Sequence, residues 1–149
     1  MKQTNVAERV YEKRRLLEAW QQVKQNGGVA GIDNMTVKDF EERKRELFPI
    51  IYNKLKEGKY KFKPVKRVLI PKEGGKVRKL GIPVVMDRIV AQSINTVLEE
   101  IFDKEFSQSN YGFRKGRSQH QAIKQVQQAV KEGKTWGVSI DLKSFFDEI

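Results

Sequence analysis

The run Val138-Ser139-Ile140-Asp141-Leu142 carries an apolar segment into a carboxylate, and Phe145, Phe146 and a second acid, Asp147, follow closely. At the end of a strand the backbone direction is fixed, so a carboxylate there can enter a cleft in a set orientation. Such a group suits magnesium, which takes hard oxygen ligands in near-octahedral geometry, commonly one or two carboxylates plus substrate phosphates. Two such metals held together activate a hydroxyl nucleophile and stabilise a leaving pyrophosphate. Taken alone, the segment reads more simply as a turn-forming aspartate ahead of a core Phe pair, and one carboxylate does not make a site.

A second set of groups is cationic. Lys66, Arg67, Lys72, Lys76, Arg78 and Lys79 stud one short segment, and farther on Tyr111 and Phe113 are interleaved with Arg114, Lys115 and Arg117. Aromatic rings beside guanidinium groups suit base stacking and phosphate contact. Tyr111 and Phe113 read first as anchors of their loop, which leaves Arg114 and Arg117 as the better nucleic-acid candidates. His120, the sole histidine, reads as a packing or capping residue.

Over the whole chain, 30 Lys and Arg against 19 Asp and Glu give a net charge of +11. A polyanion is the natural ligand, because each phosphate contact releases a counterion. Solubility alone, or an anionic membrane surface, would account for the same charge. The absence of cysteine excludes disulfides and thiolate–metal sites. No signal-peptide core or transmembrane-length apolar run occurs, so the expected location is cytoplasmic, with no membrane partner.

Several elements must position these groups. Asn5 with Glu8 predicts a capped amphipathic helix bearing Val6, Val10, Leu17 and Trp20, stopped at Asn26-Gly27-Gly28. Thr36 and Asp39 open a second helix carrying Phe40, Leu47, Ile51 and Leu55, which Pro49 should kink or split. Val65–Ile70 and Val77–Leu80, joined by Glu73-Gly74-Gly75-Lys76, predict a basic β-hairpin. A long helix follows over Asp87–Phe106. Ser118 and Gln121 then cap a helix with Ala122, Ile123, Val126, Ala129 and Val130 on one face, and Trp136–Asp141 closes as a short strand. Helices, a hairpin, more helices and a strand make an α+β protein.

Five blocks in this order resemble the reverse transcriptases encoded by group II introns. Asn26-Gly27-Gly28-Val29-Ala30-Gly31-Ile32-Asp33 is similar to their N-terminal extension motif. Tyr60 with Pro64–Lys72 and Arg78 resembles their fingers hairpin, and Lys79-Leu80-Gly81-Ile82-Pro83 with Asp87-Arg88 resembles the strand-to-helix block beside the template. Ser109–Ser118 and Val138–Asp147 resemble two further blocks, the last being polymerase motif A. The resemblance spans roughly residues 26 to 147. It implies an N-terminal helix over residues 1–25, fingers and first palm helices over 26–134, and the start of a palm over 135–149. It further implies that Asp141 is catalytic and, with the Leu142 carbonyl, ligates Mg2+. Lys72 and Arg78 would grip the triphosphate of a deoxynucleoside triphosphate. Phe145 would lie under its sugar and exclude a 2′-hydroxyl, and Asp147 would be structural. Lys66, Arg67, Arg88, Arg114 and Arg117 would face an RNA template and primer, and group II intron RNA becomes the expected partner. Retron, diversity-generating and CRISPR-associated enzymes share parts of the pattern.

One family feature is missing. The second catalytic motif, an aromatic-Ala-Asp-Asp hairpin, has no counterpart, since no Asp-Asp pair occurs in the chain. The sequence therefore reads as a shortened form of a longer protein, or a degraded gene product, that is inactive alone. The alternative reading is an RNA-binding module that recognises structured intron RNA and assists splicing without polymerising. A protein-binding basic scaffold is the third reading, and it predicts no RNA affinity.

Overall fold

The computed structural model describes residues 5–71, 73–75, 77–142 and 145, apart from the Glu73 side chain. The elements are α1 (Val6–Val10), α2 (Lys13–Asn26), α3 (Val37–Lys56), β1 (Lys66–Pro71), β2 (Val77–Ile82), α4 (Val85–Phe102) and α5 (Gln119–Lys131). One compact unit runs to Lys104 and a second begins at Glu105. The mixture of helices with an antiparallel hairpin agrees with the α+β expectation.

The first unit is built on three helices. Leu16, Ala19, Trp20 and Val23 recur on one face of α2, Phe40, Leu47 and Ile51 on α3, and Val85, Ile89 and Val90 on α4; all are buried together. The Trp20 and Phe40 rings lie 4.6 Å apart, and Phe48 meets Phe40 edge-on at 5.6 Å. Truncating either central ring to alanine would cost about 3–5 kcal/mol through lost contacts and the cavity left behind. The N-terminal segment thus contributes Leu16, Ala19, Trp20 and Val23 to the core.

Two local expectations are corrected. The anticipated first helix is interrupted at Tyr11 and Glu12, and Asn5 makes no side-chain cap. An N-cap needs extended backbone angles, whereas Asn5 sits at φ 65°. Pro49, expected to kink or split the second helix, lies inside an unbroken α3. It removes one backbone donor on the exposed side, while Leu47 and Ile51 on the buried side hold the turns together. Thr36 caps α3 as anticipated: its hydroxyl accepts from the Asp39 N–H, and the Asp39 carboxylate accepts from the Thr36 N–H.

β1 and β2 pair antiparallel, Lys66 opposite Ile82 and Pro71 opposite Val77. Gly74 and Gly75 form the turn with φ 77° and 73°, a left-handed path that a Cβ would penalise.

In the second unit Ser118 and Gln121 form a reciprocal capping box at the start of α5. Nothing along α5 is buried; Ile123, Val126 and Val130 are all exposed. The strand expected over Trp136–Asp141 is not formed. A strand exists through its ladder, and the described residues of this unit offer no second strand to pair with. Among the described residues, no helix is long and apolar enough to cross a membrane.

Candidate functional site

The first turn of α4 gathers three of the blocks picked out in the sequence. Asp87 is 2% exposed and accepts hydrogen bonds from the Tyr60 hydroxyl at 2.7 Å and the Lys63 backbone N–H at 2.8 Å. Both bonds reach the segment that enters the hairpin. Burial, reinforced by the bond to Asp87, pushes the Tyr60 phenol above its ordinary range, so it stays a donor.

Arg88 reaches the opposite way. Its Nε donates to the Pro83 carbonyl at 2.9 Å, its Nη1 to the Gly27 carbonyl at 3.4 Å, and its Nη2 to the Val29 carbonyl. One planar fork thereby joins the hairpin's exit to the glycine loop. Packing is close here. A Cβ on Gly28 would lie 3.3 Å from Arg88 Nη1, and one on Gly31 would lie 2.7 Å from the Val84 Cα. Lys63 Nζ also pairs with Asp33 at 3.2 Å. Residues 27–33, 60–63 and 83–88 are therefore one junction.

From this junction the hairpin projects its cations. Cross-strand partners share a face, so the register places Lys66 with Arg78 on one face and Arg67 with Lys79 on the other. The four residues are exposed. No acidic side chain among the described residues pairs with them, in contrast to Arg15, Arg43 and Lys44, which hold Glu100, Glu46 and Glu41. Lys72 lies outside the described residues. A groove of about 560 Å³ between α2 and α3, lined by Leu17, Phe48 and Tyr52, contains none of the motif residues. Its walls are mainly apolar, and Lys13, Lys44 and Arg45 also line it.

In the second unit, the Tyr-Gly-Phe-Arg loop is stapled to itself. Arg114 Nη1 donates to the carbonyls of Ser107 at 2.9 Å and Asn110 at 3.2 Å, and the guanidinium sits 5.5 Å over the Phe106 ring. Arg117 bonds the Gln108 side chain at 2.5 Å and sits 5.6 Å over Tyr111. Tyr111 is half-buried, as an anchor should be. Phe113, expected to anchor the loop as well, is fully exposed at φ 54°. Its backbone is left-handed there, and none of the described residues of this unit is buried to receive the ring.

Asp141 and Leu142 lie exposed on the unpaired segment after α5, and Phe145 is 47% exposed. Lys143, Ser144, Phe146 and Asp147 fall outside the described residues. The carboxylate of Asp141 is the right donor type for magnesium, yet among the described residues no three metal-ligating side chains converge. Among the described residues Asp141 therefore stands as a single carboxylate, not a site.

Comparison with known proteins decides the family. The profile described as "Reverse transcriptase (RNA-dependent DNA polymerase)" matches residues 70–149, more than half of the chain. The chain belongs to the reverse transcriptase family. Members of this family use divalent metal ions, and here the matched stretch contains Asp141. Among relatives of this reverse transcriptase chain, Protein YkfC of Escherichia coli is 37% identical over 123 residues, 80% of the chain and 32% of the relative. Group II intron-encoded protein LtrA of Lactococcus lactis is 35% identical over 134 residues, 88% of the chain and 22% of the relative. The COX1/OXI3 intron 1 protein of Saccharomyces cerevisiae is 41% identical over 97 residues, 65% of the chain and 12% of the relative. The resemblance to group II intron-encoded proteins read from the motifs stands. The reverse transcriptase chain spans about a third or less of the length of these relatives.

Sequence reasoning missed the junction itself. It placed Asp87 and Arg88 in the block beside the template, with Arg88 facing RNA, and did not anticipate that both side chains make hydrogen bonds within the protein. The available signal was an acid-base dipeptide in the first turn of an apolar helix, next to a glycine loop in need of partners for its carbonyls.

Proposed function

We propose that this chain is the RNA-facing fingers region and the beginning of the palm of an RNA-directed DNA polymerase of the group II intron type. The observation that carries the reading is the junction, where three motif blocks far apart in sequence converge and hold out a hairpin whose Lys66, Arg67, Arg78 and Lys79 pair with no acidic side chain among the described residues. Exposed, unpaired cations are available for phosphates. In the whole protein the proposed reaction is two-metal nucleotidyl transfer. The primer 3′-hydroxyl attacks the α-phosphorus of a deoxynucleoside triphosphate and pyrophosphate leaves. Lys72 and Arg78 would neutralise the triphosphate charge, and Phe145 would pack under the sugar. Asp141, with the Leu142 carbonyl, would contribute one side of a Mg2+ site that other carboxylates complete, so no metal-dependent step is assigned to these 149 residues. The proposed location is cytoplasmic, within a ribonucleoprotein.

For the 149-residue chain by itself, binding of structured intron RNA is the stronger reading, because the described hairpin cations are displayed while no carboxylates cluster among the described residues. Fluorescence anisotropy with a structured intron RNA, titrated with KCl, tests it. The expected result is a linear fall of log K with log salt, which Arg67→Ala and Arg78→Ala each make shallower by about 0.7–0.9. A salt-independent affinity, or none, refutes the RNA interface. Magnesium-dependent primer extension by the chain alone would refute the separation of binding from catalysis.

A further inference from the structure

Tyr60, Lys63 and Pro83 flank the hairpin at its two roots, and Gly27 and Val29 belong to the glycine loop. Among the described residues, these two regions meet directly at the Lys63–Asp33 pair, which is exposed on the lysine side, and where Gly31 packs on Val84. The remaining hydrogen bonds between them pass through two consecutive residues. Asp87, buried, holds the hairpin's entry by two hydrogen bonds. Arg88 holds the hairpin's exit and the loop by three. Both side chains leave the first turn of α4, whose Val85, Ile89 and Val90 are locked in the core.

We propose that Asp87 and Arg88 form a positioning pair that couples the glycine loop to the basic hairpin, so that the two elements are held in one register at the start of α4. Asp87 fixes the angle at which the hairpin leaves the core, and Arg88 fixes the loop against the same turn. A phosphate backbone crossing both would then meet prearranged donors, and the ordering cost would be met in folding, before RNA arrives. That last consequence rests on the RNA-interface reading above; the coupling itself does not.

Coupling between two sites is reciprocal, which gives a test that simple destabilisation does not mimic. Tyr60→Phe removes one bond on the hairpin side and leaves every loop contact in place. Arg88→Lys keeps the charge but loses the planar fork on the loop side. Amide exchange is followed in the full 149-residue chain at Lys63, which donates to Asp87, and at Gly27 and Asn34, which donate to Val23 and Gly31. Exchange at core amides of α3, such as Phe40, serves as the measure of global stability.

The expected result is crosswise. Tyr60→Phe speeds exchange at Gly27 and Asn34, and Arg88→Lys speeds exchange at Lys63, each by about fivefold or more beyond the change at Phe40. If each substitution loosens only its own side, or all four amides rise together, the pair does not couple the elements. RNA affinity of the same variants separates the two readings. With coupling, Arg88→Lys weakens binding and flattens the salt dependence although no charge is lost. If Arg88 is instead a direct phosphate contact, the lysine retains affinity and salt dependence and leaves Lys63 exchange unchanged, which overturns the proposal. A wild-type chain without RNA affinity overturns the RNA interface, and the exchange pattern alone then decides the coupling.

Discussion

Substituting Gly31 by alanine tests whether the glycine loop is a packed part of the core or a surface turn. Gly31 is absent from the positions with positive φ, so the requirement for glycine there is steric. An added Cβ would approach the Val84 Cα at 2.7 Å, its nitrogen at 2.8 Å and its Cγ1 at 2.9 Å. Ordinary contact begins at 3.4 Å, so the two segments must separate by about 0.7 Å. Val84 has no accessible surface and stands between the exit of β2 and the first turn of α4. The obstacle is therefore backbone anchored on both sides, not the tip of a flexible side chain. Overpacking of this kind costs about 1–3 kcal/mol, and an immovable neighbour favours the upper half of that range. In a unit of this size each kcal/mol lowers Tm by about 4–8 °C, so Gly31→Ala is expected to lose about 8–24 °C in a circular-dichroism melt. Gly74→Ala is the control: its φ of 77° imposes backbone strain, but nothing lies within 4 Å of the new methyl. It should cost only about 1–2 kcal/mol. A Gly31→Ala melt within about 2 °C of wild type, or one milder than Gly74→Ala, would refute the close approach of loop and helix.

Pro49→Ala restores a backbone donor in the middle of α3 at an exposed position and is expected to stabilise the first unit by up to about 3 kcal/mol. An unchanged or lower midpoint in urea would contradict it. Thr36→Ala breaks the capping box that bonds both ways with Asp39 and should cost about 1 kcal/mol, read from the same titration. The hydrogen bond from Arg15 holds the Glu100 carboxyl below its usual range, with Arg9 adding to it, and bonds from Thr36 do the same for Asp39. A folded-state pKa that is depressed gives stability that is present above the unfolded pKa and lost as pH falls through the folded one. Stability should thus fall as the pH drops below about 4.5, the ordinary range of these carboxyls, and Glu100→Gln should shrink that loss; an acid limb identical to wild type would count against the Arg15–Glu100 pair.

Much of the fold was legible because the signals were local. Thr36 with Asp39, and Ser118 with Gln121, are capping boxes whose geometry is contained in four residues. The hairpin was readable from Gly74 and Gly75 between two apolar-basic alternations. Failures occurred where the deciding partner lies elsewhere in the chain. Pro49 is a helix breaker by propensity, yet Leu47 and Ile51 pack against α2 and α4 and keep α3 continuous. Trp136–Asp141 has the composition of a strand, but composition cannot provide a neighbouring strand. Asn5 has the side chain of a cap without the backbone angles. The resemblance identified the family and was silent on how the blocks touch, because the contacts at Asp87 and Arg88 run mostly to backbone N–H and carbonyl groups. A backbone partner leaves no trace in residue identity.

That distinction also refines what the net charge of +11 says about binding. A basic total marks a polyanion as partner without saying where it sits. Many of the cations are already engaged. Arg15 is held by Glu100, Arg43 by Glu46, Lys44 by Glu41, Arg88 by backbone carbonyls, and Arg114 and Arg117 by their own loop. Each of these would have to give up an internal partner before meeting a phosphate, which offsets much of what the new contact contributes. Lys66, Arg67, Arg78 and Lys79 face no such exchange. They also sit on a two-stranded ribbon whose roots are bonded to Asp87 and Arg88, so on the proposed RNA-interface reading the hairpin is where prearranged charge would meet phosphate. The loop arginines then serve chiefly to hold Tyr111 and Phe106 in place, and exposed Phe113 becomes the part of that loop open to a stacking base. On this argument Phe113→Ala should weaken RNA binding with no change in its salt dependence, whereas Arg78→Ala should change both. The reverse pattern would place the phosphate contacts on the loop and not on the hairpin.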